Sequence, residues 1–149
     1  MAAIEFPRDF SEFLRLLNAH RVNYLLIGGF AVALHGYPRS TSDMDIWIER
    51  SRDNAERLIA CLQEFGFDSP ALTLELFTAS DSIVQMGITP VRIDVVSSID
   101  GVNFAHCQSR ALTHLINNMP IRVISLNDLK ANKRASGRPK DIDDLRNLP

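Results

Sequence analysis

The segment that most constrains the fold is Tyr24-Leu25-Leu26-Ile27, four apolar residues halted by Gly28-Gly29. A short, unbroken apolar run bounded by glycines is the pattern of a buried strand, and it requires a hydrophobic sheet core around it. Beyond the glycines, Phe30 to Leu34 reads as a brief helix with Gly36 as its stop. Gly36 to Ser42 is polar and reads as a loop.

Periodicity predicts the remaining elements. Asp9 with Glu12 is a capping pair for a helix whose stripe is Phe10, Phe13, Leu14 and Leu17. Asp43 to Glu49 alternates, with Met44, Ile46 and Ile48 on one face and Asp43, Asp45 and Trp47 on the other. Ser51 caps a helix carrying Leu58, Ile59, Leu62 and Phe65, stopped by Gly66. Phe67 to Asp81 shows only one helical turn, near Leu74. Ile83–Ile88 and Val91–Val96 flank Thr89-Pro90 as an antiparallel hairpin, with Arg92 and Asp94 opposite Val91, Ile93 and Val95. Phe104 to Leu112 is predicted to be helical and Ile121 to Ile124 a strand. Ser125 with Asp128 starts a helix to about Ala135, ended by Gly137, and Lys140 to Leu148 forms a last short helix. The expected fold is a small mixed α/β (α+β) domain, a mixed β-sheet flanked by helices. No repeat or Pro/Gly/Ser-rich linker divides it, so residues 1–149 read as one domain.

Composition excludes several classes of function. Sixteen Lys and Arg against eighteen Asp and Glu give a net charge of -2, which argues against coating nucleic acid by bulk charge. With 46% hydrophobic and 23% charged residues, the chain is not disordered as a whole. The longest uncharged apolar stretch, Tyr24 to Leu34, falls well short of the roughly twenty residues of a membrane span, and no secretory signal pattern opens the chain. Cys61 and Cys107 lack CxxC spacing, so neither a disulfide framework nor a thiolate zinc site is expected, and a reducing cytoplasm is the expected location. No GxxxxGK[ST] or GxGxxG occurs, and His20, His106 and His114 have no HExxH spacing. His35, beside the glycine turn, reads as structural or as a cap.

The chemistry centres on Gly28-Gly29, thirteen further residues, and Asp43-Met44-Asp45-Ile46. Two carboxylates on one strand face repel unless a cation lies between them, and Mg²⁺ takes such oxygen ligands together with substrate phosphates. A strand ending in two glycines and turning into a helix offers backbone N–H groups to a phosphate, with no Cβ in the way. Asp94, on a later strand, has the parity to join Asp43 and Asp45. Three acids suit two-metal phosphoryl or nucleotidyl transfer, the third holding an ion and orienting, or deprotonating, the attacking hydroxyl. Taken singly, each feature is also what a solvated strand face or a tight turn looks like; their order and spacing together carry the argument.

These residues resemble the DNA polymerase β-like nucleotidyltransferase superfamily, and in particular its small single-domain members, including those related to toxin–antitoxin systems. The stretch Gly29-Phe30-Ala31-Val32-Ala33-Leu34-His35-Gly36-Tyr37-Pro38-Arg39-Ser40-Thr41-Ser42-Asp43 carries the likeness. So do Ser125-Leu126-Asn127-Asp128-Leu129 and the segment from Lys133 to Asp141. The resemblance implies that Asp43, Asp45 and Asp94 are catalytic and bind Mg²⁺ or Mn²⁺, while Gly28 and Gly29 cradle the triphosphate of an NTP, ATP first among them. Many members carry Ser where this chain has Gly29, so here the backbone alone would grip phosphate at that point. The acceptor implied is a protein or tRNA hydroxyl, brought by a partner or another protomer, with a cognate toxin or antitoxin as a partner. The rival implication is a non-catalytic nucleotide-binding antitoxin or sensor on the same fold.

Arg39, Ser40 and Thr41 precede the first Asp and either reach a phosphate or form a polar loop. Lys130, Lys133, Arg134, Arg138 and Lys140 place five positive charges in eleven residues. Lys130 and Arg134 read as a solvated helix face and Lys140 with Asp141 as an anchor of the last helix; Lys133 stands at the basic position that, by the resemblance, neutralises nucleotide charge. Trp47 either stacks on a base or lies buried under a neighbouring loop.

Overall fold

The computed structural model describes residues 6–79, 81–88 and 91–149. In chain order the elements are α1 (Arg8–Ala19), β1 (Tyr24–Ile27), α2 (Gly28–Leu34), β2 (Met44–Ile48), α3 (Arg52–Phe65), α4 (Leu74–Thr78), β3 (Ile83–Met86) and β4 (Ile93–Val96). They continue as α5 (Phe104–Arg110), β5 (Leu112–Ile116), β6 (Met119–Val123), α6 (Leu126–Ser136) and α7 (Pro139–Asn147). The strands form one six-stranded mixed sheet in the order β3-β4-β2-β1-β6-β5. The expected α/β class is therefore observed.

β1 is buried at all four positions, because it pairs antiparallel with β2 and parallel with β6. Phe10, Phe13, Leu14 and Leu17 of α1 are fully buried, as are Leu58 and Leu62 of α3. Phe10 meets the ring of Phe30 edge-on at 5.6 Å. Ser51 accepts from the Asn54 N–H and Gly66 closes α3 in the left-handed conformation, as the sequence suggests. Among the described residues no helix is long and apolar enough to cross a membrane.

Several boundaries differ from expectation, each for a local reason. Asp9 does not cap α1: the Pro7 carbonyl accepts from the Phe10 and Ser11 N–H groups at 3.0 and 3.1 Å, and Asp9 lies in the first turn. Its charge there meets the positive end of the helix. α2 starts at Gly28 rather than Phe30, because the chain turns at the first glycine. The helix at Phe104 ends at Arg110, and Leu112 opens a strand that periodicity does not announce. β5 is an edge strand with Leu112 and Leu115 exposed, so it lacks a buried face to imprint alternation. Asn117 and Asn118, both at positive φ (52° and 64°), link it to β6 in a two-residue turn. That conformation at both positions favours Asn. β3 and β4 form the expected antiparallel pair; the Thr89-Pro90 turn lies outside the described residues.

Candidate active site

Sheet register builds the acidic face. β2 and β4 run parallel, and Asp45 is the register partner of Asp94. Asp43, immediately before β2, stands two residues away on the same side of the chain's alternation. β1 lies on the other edge of β2, with Ile27 paired to Asp45, so the glycine corner after β1 falls beside that carboxylate. Gly28 adopts φ +68°, and a Cβ there would run into the Asp45 carboxylate. A Cβ on Gly29 would collide with the Thr41 hydroxyl. Both glycines are thus required by close approach, Gly28 by its left-handed backbone as well.

A cavity of about 590 Å³ opens over this corner. Gly28, Gly29, Arg39, Ser40, Thr41, Asp43, Asp45, Asp94 and Lys133 all line it. Residues drawn from four separate stretches of sequence therefore line one cavity.

Arg92, which alternation puts on the Asp94 face but which is not among the expected site residues, stands within the acidic group. It donates to both oxygens of Asp94, from Nε at 2.8 Å and Nη2 at 3.0 Å, and reaches Asp43 Oδ2 at 3.3 Å. The strand alternation that pairs Arg92 with Asp94 on one face was the available signal. Asp45 has a different electrostatic position: burial, then the neighbouring Asp94 and Asp43 charges, push its carboxyl up to about 6 against the opposing field of Lys140 and Lys133. A carboxylate raised in this way is short of positive charge.

The donors fit a hard divalent ion in chemistry, being carboxylate oxygens that line one cavity. Arg92 also demonstrates that Asp43 and Asp94 can share one cation. The ligand set is not preassembled, however: among the described residues no three His, Cys, Asp or Glu side chains are placed to hold an ion as they stand.

The basic side of the cavity is a buried ion network. Lys133 of α6 is 3% exposed and donates to Asp141 at 3.1 Å and Asp144 at 3.0 Å, both fully buried on α7. Asp144 also receives Arg39 through Nε at 2.6 Å and Nη2 at 3.0 Å. Asp141 accepts from Ser136 at 2.9 Å and from Arg138 Nε at 2.8 Å. Asp141 is thus the anchor of the last helix that the sequence suggests, while Asp144, unnoticed there, ties the Arg39 loop to α6. Their i, i+3 spacing on one helix face was the legible hint. These cations hold both carboxyls below the usual carboxylate range despite burial, which acts the other way.

The remaining assignments settle simply. Trp47 takes the buried alternative, its ring edge-on to Phe104 at 5.0 Å. His35 is structural: its Nε2 lies 2.7 Å from the Ile124 carbonyl, joining the end of α2 to the segment after β6.

The family model described as "Nucleotidyltransferase of unknown function (DUF6036)" matches residues 8–148. No curated protein matches the sequence. Among solved structures the fold is similar to a candidate nucleotidyltransferase from Thermotoga maritima, at TM-score 0.61 and 17% identity over 93% of this chain and 89% of that one. It is also similar to ANT(2'')-Ia in complex with adenylyl-2''-tobramycin, at TM-score 0.53 and 15% identity over 92% and 83% of the two chains. A solution structure of the antibiotic-resistance factor ANT(2'')-Ia gives TM-score 0.57 and 15% identity over 93% and 79%.

Proposed function

The chain belongs to the DUF6036 nucleotidyltransferase family, and on that premise we propose that it is a metal-dependent enzyme moving an NMP group from an NTP, ATP first, to a hydroxyl of a protein or RNA. The observation that carries this reading is that Asp43, Asp45 and Asp94 line the same cavity as Gly28 and Gly29. Acids alone would be a charged face; glycines alone would be a turn. Together they put anionic ligands where a triphosphate has room to lie against backbone.

In the proposed reaction an acceptor oxygen bonds to the α-phosphorus, the bond from that phosphorus to the bridging oxygen breaks, and pyrophosphate leaves. The acceptor proton passes to a carboxylate of the trio. Mg²⁺ or Mn²⁺, held by Asp43, Asp45 and Asp94, would supply neutralisation of the phosphate charge. Gly28 and Gly29 admit the triphosphate to the backbone N–H groups at the start of α2, and Ser40 and Thr41 offer hydroxyls beside it. Arg39 and Lys133 face the cavity while gripped by Asp144, so their charge is fixed before substrate arrives, which suits a site that works by positioning. The domain of residues 1–149 holds the donor side; the acceptor is delivered by a partner. By resemblance that partner is the cognate protein of a toxin–antitoxin pair.

Incubation with α-labelled NTPs, Mg²⁺ or Mn²⁺ and a cell extract tests this, with Asp45→Asn as control. Label transferred to a protein or RNA by the wild type alone is the expected result and identifies donor and acceptor together. NTP binding without transfer under either metal would replace the enzyme with the non-catalytic antitoxin or sensor. Neither binding nor transfer would end both readings.

A further inference from the structure

Arg92 is placed as a cation rather than as a surface side chain. Its guanidinium holds Asp94 by a two-point fork at 2.8 and 3.0 Å and reaches Asp43 at 3.3 Å. A planar fork matched to a carboxylate is the strongest arrangement such a pair adopts. The backbone of Arg92 is fixed, since its carbonyl accepts from the Met44 N–H at 2.9 Å and ties it to β2. The side chain is about one-third exposed and lines the cavity, so it has space to rotate while the strand stays in place. While both Asp94 oxygens serve the guanidinium, three acids do not converge on one point among the described residues.

We propose that Arg92 is a built-in counter-cation of the carboxylate site, which a divalent ion must displace from Asp94 and Asp43 before the three acids close around it. The inference rests on the metal-binding reading of Asp43, Asp45 and Asp94. It gives Arg92 a positioning role: in the cation-free chain it neutralises two acids that would otherwise repel, and it sets a threshold that weakly bound cations do not cross.

The test is Mn²⁺ binding, read as free Mn²⁺ by electron paramagnetic resonance, on full-length chains stripped of metal. Wild type, Arg92→Gln and Arg92→Lys are compared. Removal of a two-point charge-assisted contact from the competing side should tighten Mn²⁺ binding by Arg92→Gln roughly tenfold or more. Arg92→Lys should fall between, because one ammonium does not reproduce the fork. Without metal, Arg92→Gln should melt below the wild type, and saturating Mn²⁺ should close that gap; a purely structural arginine would leave the gap open. Equal or weaker Mn²⁺ binding by Arg92→Gln, in a series where the wild type does bind, overturns the proposal and leaves the metal reading standing. No Mn²⁺ binding by any of the three overturns both. If Arg92→Gln does not fold, Arg92→Lys decides alone: tighter than wild type supports displacement, and equality refutes it.

Discussion

Asp45 and Asp94 are partners across the parallel ladder of β2 and β4, so two carboxylates meet at one rung of the sheet. Like charges opposite each other destabilise a sheet, and Asp45 bears this without an arginine of its own. Asp45→Asn should therefore stabilise the metal-free chain by about 1–2 kcal/mol, raising Tm by several degrees. The same change should lower nucleotidyl transfer by roughly 100-fold or more. Calorimetry and label transfer on one preparation check both signs. A variant that melts lower and transfers normally would show the acid to be structural.

The glycine corner makes a prediction about coupling. A Cβ at residue 29 strikes the Thr41 hydroxyl, so Gly29→Ala should destabilise by about 1–3 kcal/mol. Thr41→Gly removes the obstructing group, and the double variant should recover part of that loss, an interaction of about 0.5–3 kcal/mol in a double-mutant cycle. Gly28→Ala should not be rescued by Thr41→Gly, because its φ of +68° is strained for any side chain and its obstacle is Asp45. Denaturant melts of the wild type, the three single variants and the two double variants supply both cycles.

The network joining α6, α7 and the Arg39 loop should appear in the pH dependence of stability. Asp141 and Asp144 have folded pKa values below their unfolded ones. Their contribution is therefore fully present above the ordinary carboxylate pKa of about 4 and is lost as pH falls through the lower folded values. Tm should rise modestly as pH falls from about 7 towards 5, where Asp45 takes up its proton, and drop steeply below about pH 4 as Asp141 and Asp144 are neutralised. Asp144→Asn should flatten that drop while costing about 3–5 kcal/mol at pH 7, since it leaves Lys133 and Arg39 under-compensated. Thermal melts from pH 7 to pH 3 on both chains decide it.

What could be read from sequence alone divides along physical lines. β1, α3 and the end of α6 were legible because burial periodicity and capping chemistry agree there: an all-apolar run, Ser51, Gly66, Gly137. Strand parity alone was enough to expect Asp43 and Asp45 on one face with Asp94 opposite the apolar side, and the register of β2 with β4 does pair Asp45 with Asp94. β5 was not, since an exposed edge carries no alternation and only Asn117-Asn118 hinted at its turn. Alternation puts Arg92 on the Asp94 face but does not show that its guanidinium also reaches Asp43 across the sheet, and Asp144 escaped because its partner is far along the chain. Arg39 and Asp144 are 105 residues apart, and no local pattern encodes such a pair.

The two thiols supply a last check on burial and on mechanism. Cys61, inside α3, is fully buried, and burial followed by the Glu64 charge pushes its thiol up to about 12. Cys107, on α5, is pushed up to about 11 by burial and Asp128, against the opposing charge of Arg110. Only the thiolate attacks a disulfide reagent, and at pH 8 these values leave roughly one thiol in a thousand or fewer ionised. An aromatic disulfide reagent at pH 8 should therefore modify neither cysteine in the folded chain and both once denaturant is added. Because the proposed transfer needs no thiol, prolonged exposure of the folded protein to the reagent should leave labelling of the acceptor unchanged. Rapid native-state modification accompanied by loss of transfer would place a cysteine at the reaction centre, contrary to the site built on Asp43, Asp45 and Asp94.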